Sequence, residues 1–554
     1  MKVNKQVQNS QLTNYSNKAD AKKTYGRMID FSWLIMLIAV GYQVLVHTDM
    51  KNIFALSCVV VGWALVVKAL FLTNSFARHP FSTFLILGYA LTQIYFPVVF
   101  MSIEGKSLIH NLELPNEVFL HALFSLIILL IAHLLYRRKA SSSNRSLTAA
   151  QQVLQRLKFF VAPNNFQIWF MGFLGLFSMF FIHFFTSTSY DEKETGNNII
   201  RSFIPFAYAP FFIPFSLLFG KVQIVSKRLK FQLLFYGMLI FVVSIGANSR
   251  GAFMYSFTAL GYSFILGYLL KRFQMPKINL KIIVGFGAAL WLFTGPIQDI
   301  GVAMVMVRGA REDVSRVALI SKTLEVYEDS RAIAEYKKLA KVTNPDWDEN
   351  YLDNIFLARF CNLKFNDLSL IQARGMGAGN PKMFEFSVNR FYSSFPSPVL
   401  KLLNIDVKKE EIVSSSIGDY LYYITTGDPY AMGWFRTGHF CGTGMATFGW
   451  WYLLVLGISI IPVYYLVDAF VLVLGKGTAS SFKFSLCGLL SITSTFSFLP
   501  TESVINAVVF TLREWPQTVL LYFVIFQFTL IISSLFIKRG YINYHGKYSL
   551  AQNG

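Results

Sequence analysis

The sequence predicts an all-α polytopic membrane protein, with about twelve transmembrane helices and one large, mostly helical external loop domain. Composition, the spacing of apolar runs and the placement of charge carry that prediction. Of 554 residues, 54% are hydrophobic, 55 are Phe and 14% are charged, where soluble domains carry roughly 25% charge. In water such a chain would expose more apolar surface than a globular fold can hide. Helices packed in lipid therefore replace the usual division into soluble domains.

Apolar runs of spanning length lie near residues 29–47, 53–72, 81–101, 117–135, 166–185, 202–220, 231–247, 251–270, 282–306, 447–474, 482–500 and 516–537. The net charge of +20 would suggest nucleic acid if it were spread evenly. With the amino terminus in the cytoplasm, segments 1–28, 73–80, 136–165, 221–230, 271–281, 475–483 and 538–554 face inside. Together they hold 26 Lys and Arg against one acid, Asp20, whereas 308–445 holds 17 of each sign. Positive-inside bias thus accounts for the charge without nucleic acid, and it puts both termini inside and the long loop outside. The expected divisions are a disordered cytoplasmic tail (1–28), helices one to nine (29–307), an extracytoplasmic loop domain (308–445), helices ten to twelve (446–537) and a cytoplasmic tail (538–554).

Residues 1–28, rich in Asn, Gln, Ser and Lys, are too polar to bury a core. The first apolar run is too long for a signal peptide and reads as an uncleaved anchor. Residues 149–157 read as a short helix at the lipid surface. Pro205, Pro210 and Pro214 each remove a hydrogen bond from the sixth span, and the resulting bends point to a cavity. The hairpin 186–198, with Tyr190, Asp191, Glu192 and Glu194, is either a solvated turn or a cover for that cavity. The tight connection 244–251 sets Arg250 at the external mouth over a helix amino terminus. That is a seat for an anion, phosphate above all; the competing reading is an arginine snorkelling to headgroups. Asp299 closes the ninth span and is a site candidate because acids near the bilayer are costly, unless it lies at the interface. Within the loop, 313–341, 351–374 and 414–424 read as helices, while 388–403 mixes aromatics with Pro396 and Pro398.

Several chemistries are excluded. The turn 375–379 lacks the Lys-Ser/Thr partner of a phosphate loop. No pair among His47, His110 and His439, the histidines expected outside the membrane core on the external face, has metal-ligand spacing, and there is no Gly-x-Ser-x-Gly elbow. Cys361 and Cys441 share the loop, where oxidation to a bridge stays open, although two cysteines make no disulfide framework. His439 follows Arg436 by three residues and precedes Gly442 and Gly444 at a helix entrance. Its imidazole is either a general base for a sugar hydroxyl or simply hydrogen-bonded. Tyr430, Trp434, Trp450 and Trp451 suit an interfacial belt or the wall of a glycan groove.

The Asn248-Ser249-Arg250-Gly251 turn between two mid-chain helices, and a long loop closing in His439, Gly442, Gly444 and Gly449 before another helix, resemble the O-antigen polymerase and ligase group, the Wzy-type oligosaccharide repeat-unit polymerases and their relatives, over roughly residues 230–470. The resemblance implies a metal-independent glycosyltransferase without cofactor, multi-pass in the bacterial cytoplasmic (inner) membrane. It would polymerise undecaprenyl-diphosphate-linked oligosaccharide into surface polysaccharide, whether O-antigen, capsule or exopolysaccharide, or act as a ligase. By that resemblance Arg250 holds the diphosphate and His439 matches the loop base. Arg308, Arg311 and Arg436, near the membrane, are substrate-binding candidates together with Asp299. The implied partners are the lipid-linked oligosaccharide, membrane lipids, a chain-length regulator and a flippase. The Glu-x-Gly-x-Gly pattern common in that group is absent. Among rivals, a GT-C-type enzyme would be expected to carry paired acids in its first external loop, where 47–52 offers only Asp49. A flippase or transporter would need no large external domain.

Overall fold

The computed structural model describes residues 18–73, 75–142, 147–185, 199–222, 225–247, 249–270, 272–273, 279–307, 314–339, 349, 351–354, 357–474, 481–491 and 502–548. Among these, ten helical stretches are long and apolar enough to cross a membrane. The first half comprises α1 (Lys18–Val46), α2 (Met50–Val66) with a π-helical extension, α3 (Pro80–Ala90) continuing through a π turn into α4 (Phe96–Ile103), and α5 (Pro115–Ser142). The short α6 (Ala149–Arg156), closed by a Thr148–Gln151 capping box, precedes α7 (Asn165–Phe185). A 3₁₀ helix (Ile204–Phe219), α8 (Lys227–Gly246) and α9 (Arg250–Leu269) follow.

Among the described residues, two of the twelve expected runs do not form one continuous spanning helix. The ninth run divides at Gly295, whose φ of −113° and ψ of −102° leave the helix, giving α10 (Leu280–Thr294) and α11 (Pro296–Met306). The eleventh run begins as a strand. β1 (Val471–Leu474) and β2 (Ser481–Phe484) pair antiparallel, with Val471 opposite Phe484. Apolar content alone cannot distinguish such β-branched and aromatic stretches from a helix. The expectation of disorder over 1–28 also fails beyond residue 17: α1 starts at Lys18, and Tyr25 is buried with its hydroxyl donating to Leu269 O. That docking gives the polar end of the helix a surface to lie on.

The sixth span bends as its prolines require, with Phe215 outside helical geometry. Close packing surrounds the bend. A Cβ on Gly175 would lie 2.1 Å from Ala207 N, and one on Gly172 would lie 2.4 Å from the Pro210 ring. The Tyr236 hydroxyl reaches Gly172 O at 2.7 Å and Ala207 O at 2.8 Å.

The polar segment folds as α12 (Arg316–Glu328), α13 (Ser330–Leu339), α14 (Leu363–Met376), α15 (Pro381–Ser393), α16 (Ser397–Leu402), α17 (Lys409–Val413) and α18 (Ile417–Thr426). The chain re-enters the bundle as α19 (Phe440–Phe448) and α20 (Tyr452–Asp468), passes the hairpin and α21 (Leu486–Ser491), and ends in α22 (Asn506–Val509), a π turn and α23 (Trp515–Tyr548).

Contacts sort the connections onto two ends of the bundle. At one end Tyr25 meets Leu269, Arg137 meets Ser75, Lys221 meets Asn165 and Arg272 meets Phe482. At the other, the connection 104–114 receives the long polar segment. Glu104 accepts from Asp353 N and Asn354 N, and the Tyr351 hydroxyl donates to Leu108 O. The basic segments and the polar domain thus lie apart.

Candidate functional site

The polar domain is fastened to its end of the bundle by a buried ion pair. Asp367 is fully buried on α14 and accepts from Glu113 N (3.1 Å), Leu114 N (2.9 Å) and Lys364 Nζ (2.9 Å). Lys364 also donates to Asn111 O at 2.6 Å. With donors at every side, this carboxylate recovers by hydrogen bonding what burial of its charge costs. α14 then meets α19 so closely that a Cβ on Gly442 would lie 2.2 Å from Ser369 C.

A second buried carboxylate organises the exposed rim. Ser416 and Asp419 form a capping box at the start of α18. Beyond that local role, Asp419, also fully buried, accepts from Phe435 N (2.8 Å) and Arg436 N (2.9 Å) and lies 3.5 Å from the Arg436 guanidinium. Gly418 allows this approach, because a Cβ there would fall 2.4 Å from Arg436 O. The segment between is strained, with Gly433 at φ 89° and Phe435, a bulky side chain, at φ 55°. Arg436 donates to Ala431 O at 2.7 Å, and its guanidinium lies 4.3 Å from the centre of the Tyr422 ring and 5.8 Å from that of Trp434. Tyr430, Trp434 and Phe435 stand exposed around it, at 84%, 72% and 58%. The arrangement offers a fixed cation among solvent-facing aromatic rings.

No family model, curated protein or solved structure matches this chain. The site therefore stands on its own geometry.

His439 is buried and hydrogen-bonded, one of the two readings that the sequence left open for it. It is 2% exposed and caps α19, its Nδ1 accepting from Cys441 N at 3.3 Å while its backbone N–H donates to Ser369 Oγ at 2.8 Å. Burial, helped by His121, pushes its pKa down to about 3. Arg436 lies at the rim described above. Arg250 opens α9 as its first residue, next to Ser249; its side chain lies outside the described part of the structure. Arg308, Arg311 and the hairpin 186–198 lie outside the described residues. Asp299 sits in the first turn of α11, and its neighbour Gln298 contacts Asp353 and Asn354. Trp450 stacks on His121 at 4.5 Å, which ties one of the tandem tryptophans into the bundle. Cys361 and Cys441 are buried free thiols. Among the described residues, no group of three or more His, Cys, Asp or Glu could hold a metal ion.

Sequence reasoning passed over Asp419 and Glu502. Asp419 carried a signal, since Ser-x-x-Asp before an apolar run is a capping box. Glu502 had none, lying beside an apolar run that read as a plain span. Its carboxyl is raised by burial, with Arg390 opposing the shift and Asp419 adding to it, and its backbone carbonyl accepts from Thr443 Oγ1 at 2.6 Å. It thereby joins the loop rim to the entrance of α19.

Proposed function

We propose that this protein is a metal-independent glycosyltransferase that polymerises undecaprenyl-diphosphate-linked oligosaccharide repeat units into surface polysaccharide at the outer face of the bacterial cytoplasmic membrane. The observation that carries the reading is the Asp419-held rim, where Arg436 stands among Tyr430, Trp434 and Phe435. Flat aromatic faces can stack on the apolar faces of sugar rings, and a guanidinium fixed before the reaction can stabilise charge on a departing diphosphate.

In the proposed reaction an acceptor hydroxyl oxygen bonds to the anomeric carbon of the donor glycan as the bond from that carbon to the diphosphate oxygen breaks. The hydroxyl proton passes to a carboxylate, and undecaprenyl diphosphate leaves. Arg436 stabilises that leaving group, with Arg250, Arg308 and Arg311 as further candidates. Glu502, tied to the α19 entrance through Thr443 and with its carboxyl raised by burial, is the candidate for taking the proton. His439 shapes the α19 entrance.

One observation favours a second reading, a polysaccharide flippase or transporter. Asp468 lies buried at the basic end of the bundle, bonded to Ser82 Oγ (2.5 Å) and the Tyr136 hydroxyl (2.9 Å), and Ser82 Oγ is 3.0 Å from His133 Nε2. Ionisable groups at such positions serve proton relays as well as packing. Profiling lipid-linked and surface glycan in a deletion strain tests the two. A polymerase leaves single repeat units reaching the surface and no long chains; a flippase traps the lipid-linked unit inside. Complementation by Arg436→Ala is expected to leave single units only, at unchanged protein level. Normal chain ladders with Arg436→Ala and with Glu502→Gln would remove the site assignment.

A further inference from the structure

At the end of the bundle opposite the polar domain, a cleft of about 400 Å³ is lined by Thr73, Ser75, Arg78, His79, Leu134, Arg137 and Arg138. We propose that this cleft binds the headgroup of a phosphate-bearing lipid, of the monoester or diphosphate type. Three guanidiniums and an imidazole line it together with two hydroxyls, and among the described residues no acid does. The central cation is already oriented: one nitrogen of Arg137 donates to Ala69 O (3.3 Å), Thr73 Oγ1 (2.7 Å) and Ser75 Oγ. Its Nε is buried without a hydrogen-bond partner, an unsatisfied charged donor of the kind that native structures keep for a reason.

Asp468, beside His79, does not line the cleft. It is occupied by Phe81 N, Ser82 N, Ser82 Oγ and the Tyr136 hydroxyl, and it lies 3.8 Å from His79 Nδ1. Burial together with Arg137 and Arg78 pushes His79 down to about 4, so the ring is a neutral hydrogen-bonding group at physiological pH and the positive charge belongs to the arginines. Positive-inside bias accounts for arginines at this end. It does not account for a guanidinium held by two hydroxyls in a concave site, which is the arrangement suited to a tetrahedral oxyanion. A group that can carry two negative charges suits three guanidiniums better than a phosphodiester with one. The lipid part of the assignment comes from Leu134, which lines the cleft and is 39% exposed, and from Leu135 beside it at 51%. A chain leaving the headgroup can run along that face of α5.

The test uses full-length protein in nanodiscs and measures retention of phosphatidic acid, a phosphomonoester lipid, against phosphatidylglycerol, a phosphodiester lipid, by native mass spectrometry. Preferential retention of phosphatidic acid is expected, and the double variant Arg78→Gln/Arg138→Gln is expected to weaken it by about tenfold or more. These two side chains are chosen because Arg137 also makes structural bonds. Arg374→Gln, at the polar-domain end, serves as control and should change nothing. Displacement of the lipid by inorganic pyrophosphate would assign the phosphate group as the main determinant; retention in its presence would assign the lipid as a whole. Equal retention of the two lipids, or retention unchanged in the double variant, would overturn the proposal and leave a charged membrane surface in its place.

Discussion

Arg436 and Asp419 are worth more together than either charge alone. Asp419 satisfies two backbone N–H groups of a strained loop besides its ion pair. Its replacement by Ala would leave those donors and a largely buried guanidinium without an acceptor, a loss of about 3 kcal/mol. Asp419→Ala is thus expected to increase hydrogen exchange over 429–438 while the bundle helices keep their protection. Unchanged exchange there would mean that the loop is held by other contacts. Arg436→Lys keeps the charge but loses the planar group over Tyr422, and glycan assembly should fall with the protein still folded.

His439 gives a pH prediction with a definite sign. Its folded pKa, about 3, lies below the ordinary imidazole value near 6.5. Above 6.5 the ring is neutral in both folded and unfolded chain and contributes no pH dependence. As pH falls below 6.5 the unfolded chain binds a proton that the folded chain refuses, so stability declines toward pH 3 by at most about 1.4 kcal/mol per pH unit from this group. In His439→Asn the cap survives, since Asn also accepts from the second helical N–H, and that part of the acid sensitivity should vanish in thermal melts across pH 4–7. The same variant separates roles: retained long glycan assigns His439 to positioning, whereas loss with the fold intact would make His439, rather than Glu502, the group that takes the proton.

At the scale of elements, the glycines around His439 have distinct physical reasons. Gly442 permits contact with Ser369, Gly444 lies where a Cβ would come 2.8 Å from Tyr452, and Gly449 adopts φ 58°. Gly442→Ala is expected to push α19 off α14 and lower the melting temperature, with an overpacking cost of about 1–3 kcal/mol. Gly251→Ala meets nothing within 4 Å and should be tolerated. Gly442, Gly444 and Gly449 were visible in sequence as a motif before a helix, but the reason for Gly442 was not, because its close approach depends on α14, more than sixty residues earlier in the chain. Of the loop helices, α18 was legible because Ser416 and Asp419 cap it locally, whereas the helix expected over 351–374 begins only at Leu363, after bends at 351–354 and a 3₁₀ turn at Leu357–Phe360. The broken ninth span was half legible. Gly295 and Pro296 stood in plain view, and the apolar run on either side outweighed them. The hairpin after α20 was not legible, since four apolar residues fit a strand or the end of a helix equally until a partner strand is known.

Over the whole molecule, charge and architecture give one testable picture of sidedness. Segments expected inside from their Lys and Arg meet at one end of the bundle, while the polar domain, with 17 basic and 17 acidic residues over 308–445, sits at the other. Although the ninth run is broken, α11 still meets the polar end, with Gln298 donating to Asp353 O and Ile297 packed with Phe253. Under positive-inside bias the basic end is expected to face the cytoplasm. Single cysteines placed at Lys401 and at Arg138, in a background lacking the four native buried thiols, report the answer by labelling of intact cells with a membrane-impermeant maleimide. The expected outcome is labelling at 401 and none at 138 until the membrane is permeabilised. The reverse pattern would carry the aromatic rim to the cytoplasmic face, where an outward-facing polymerase cannot work, and would leave the arginine cleft facing the outside.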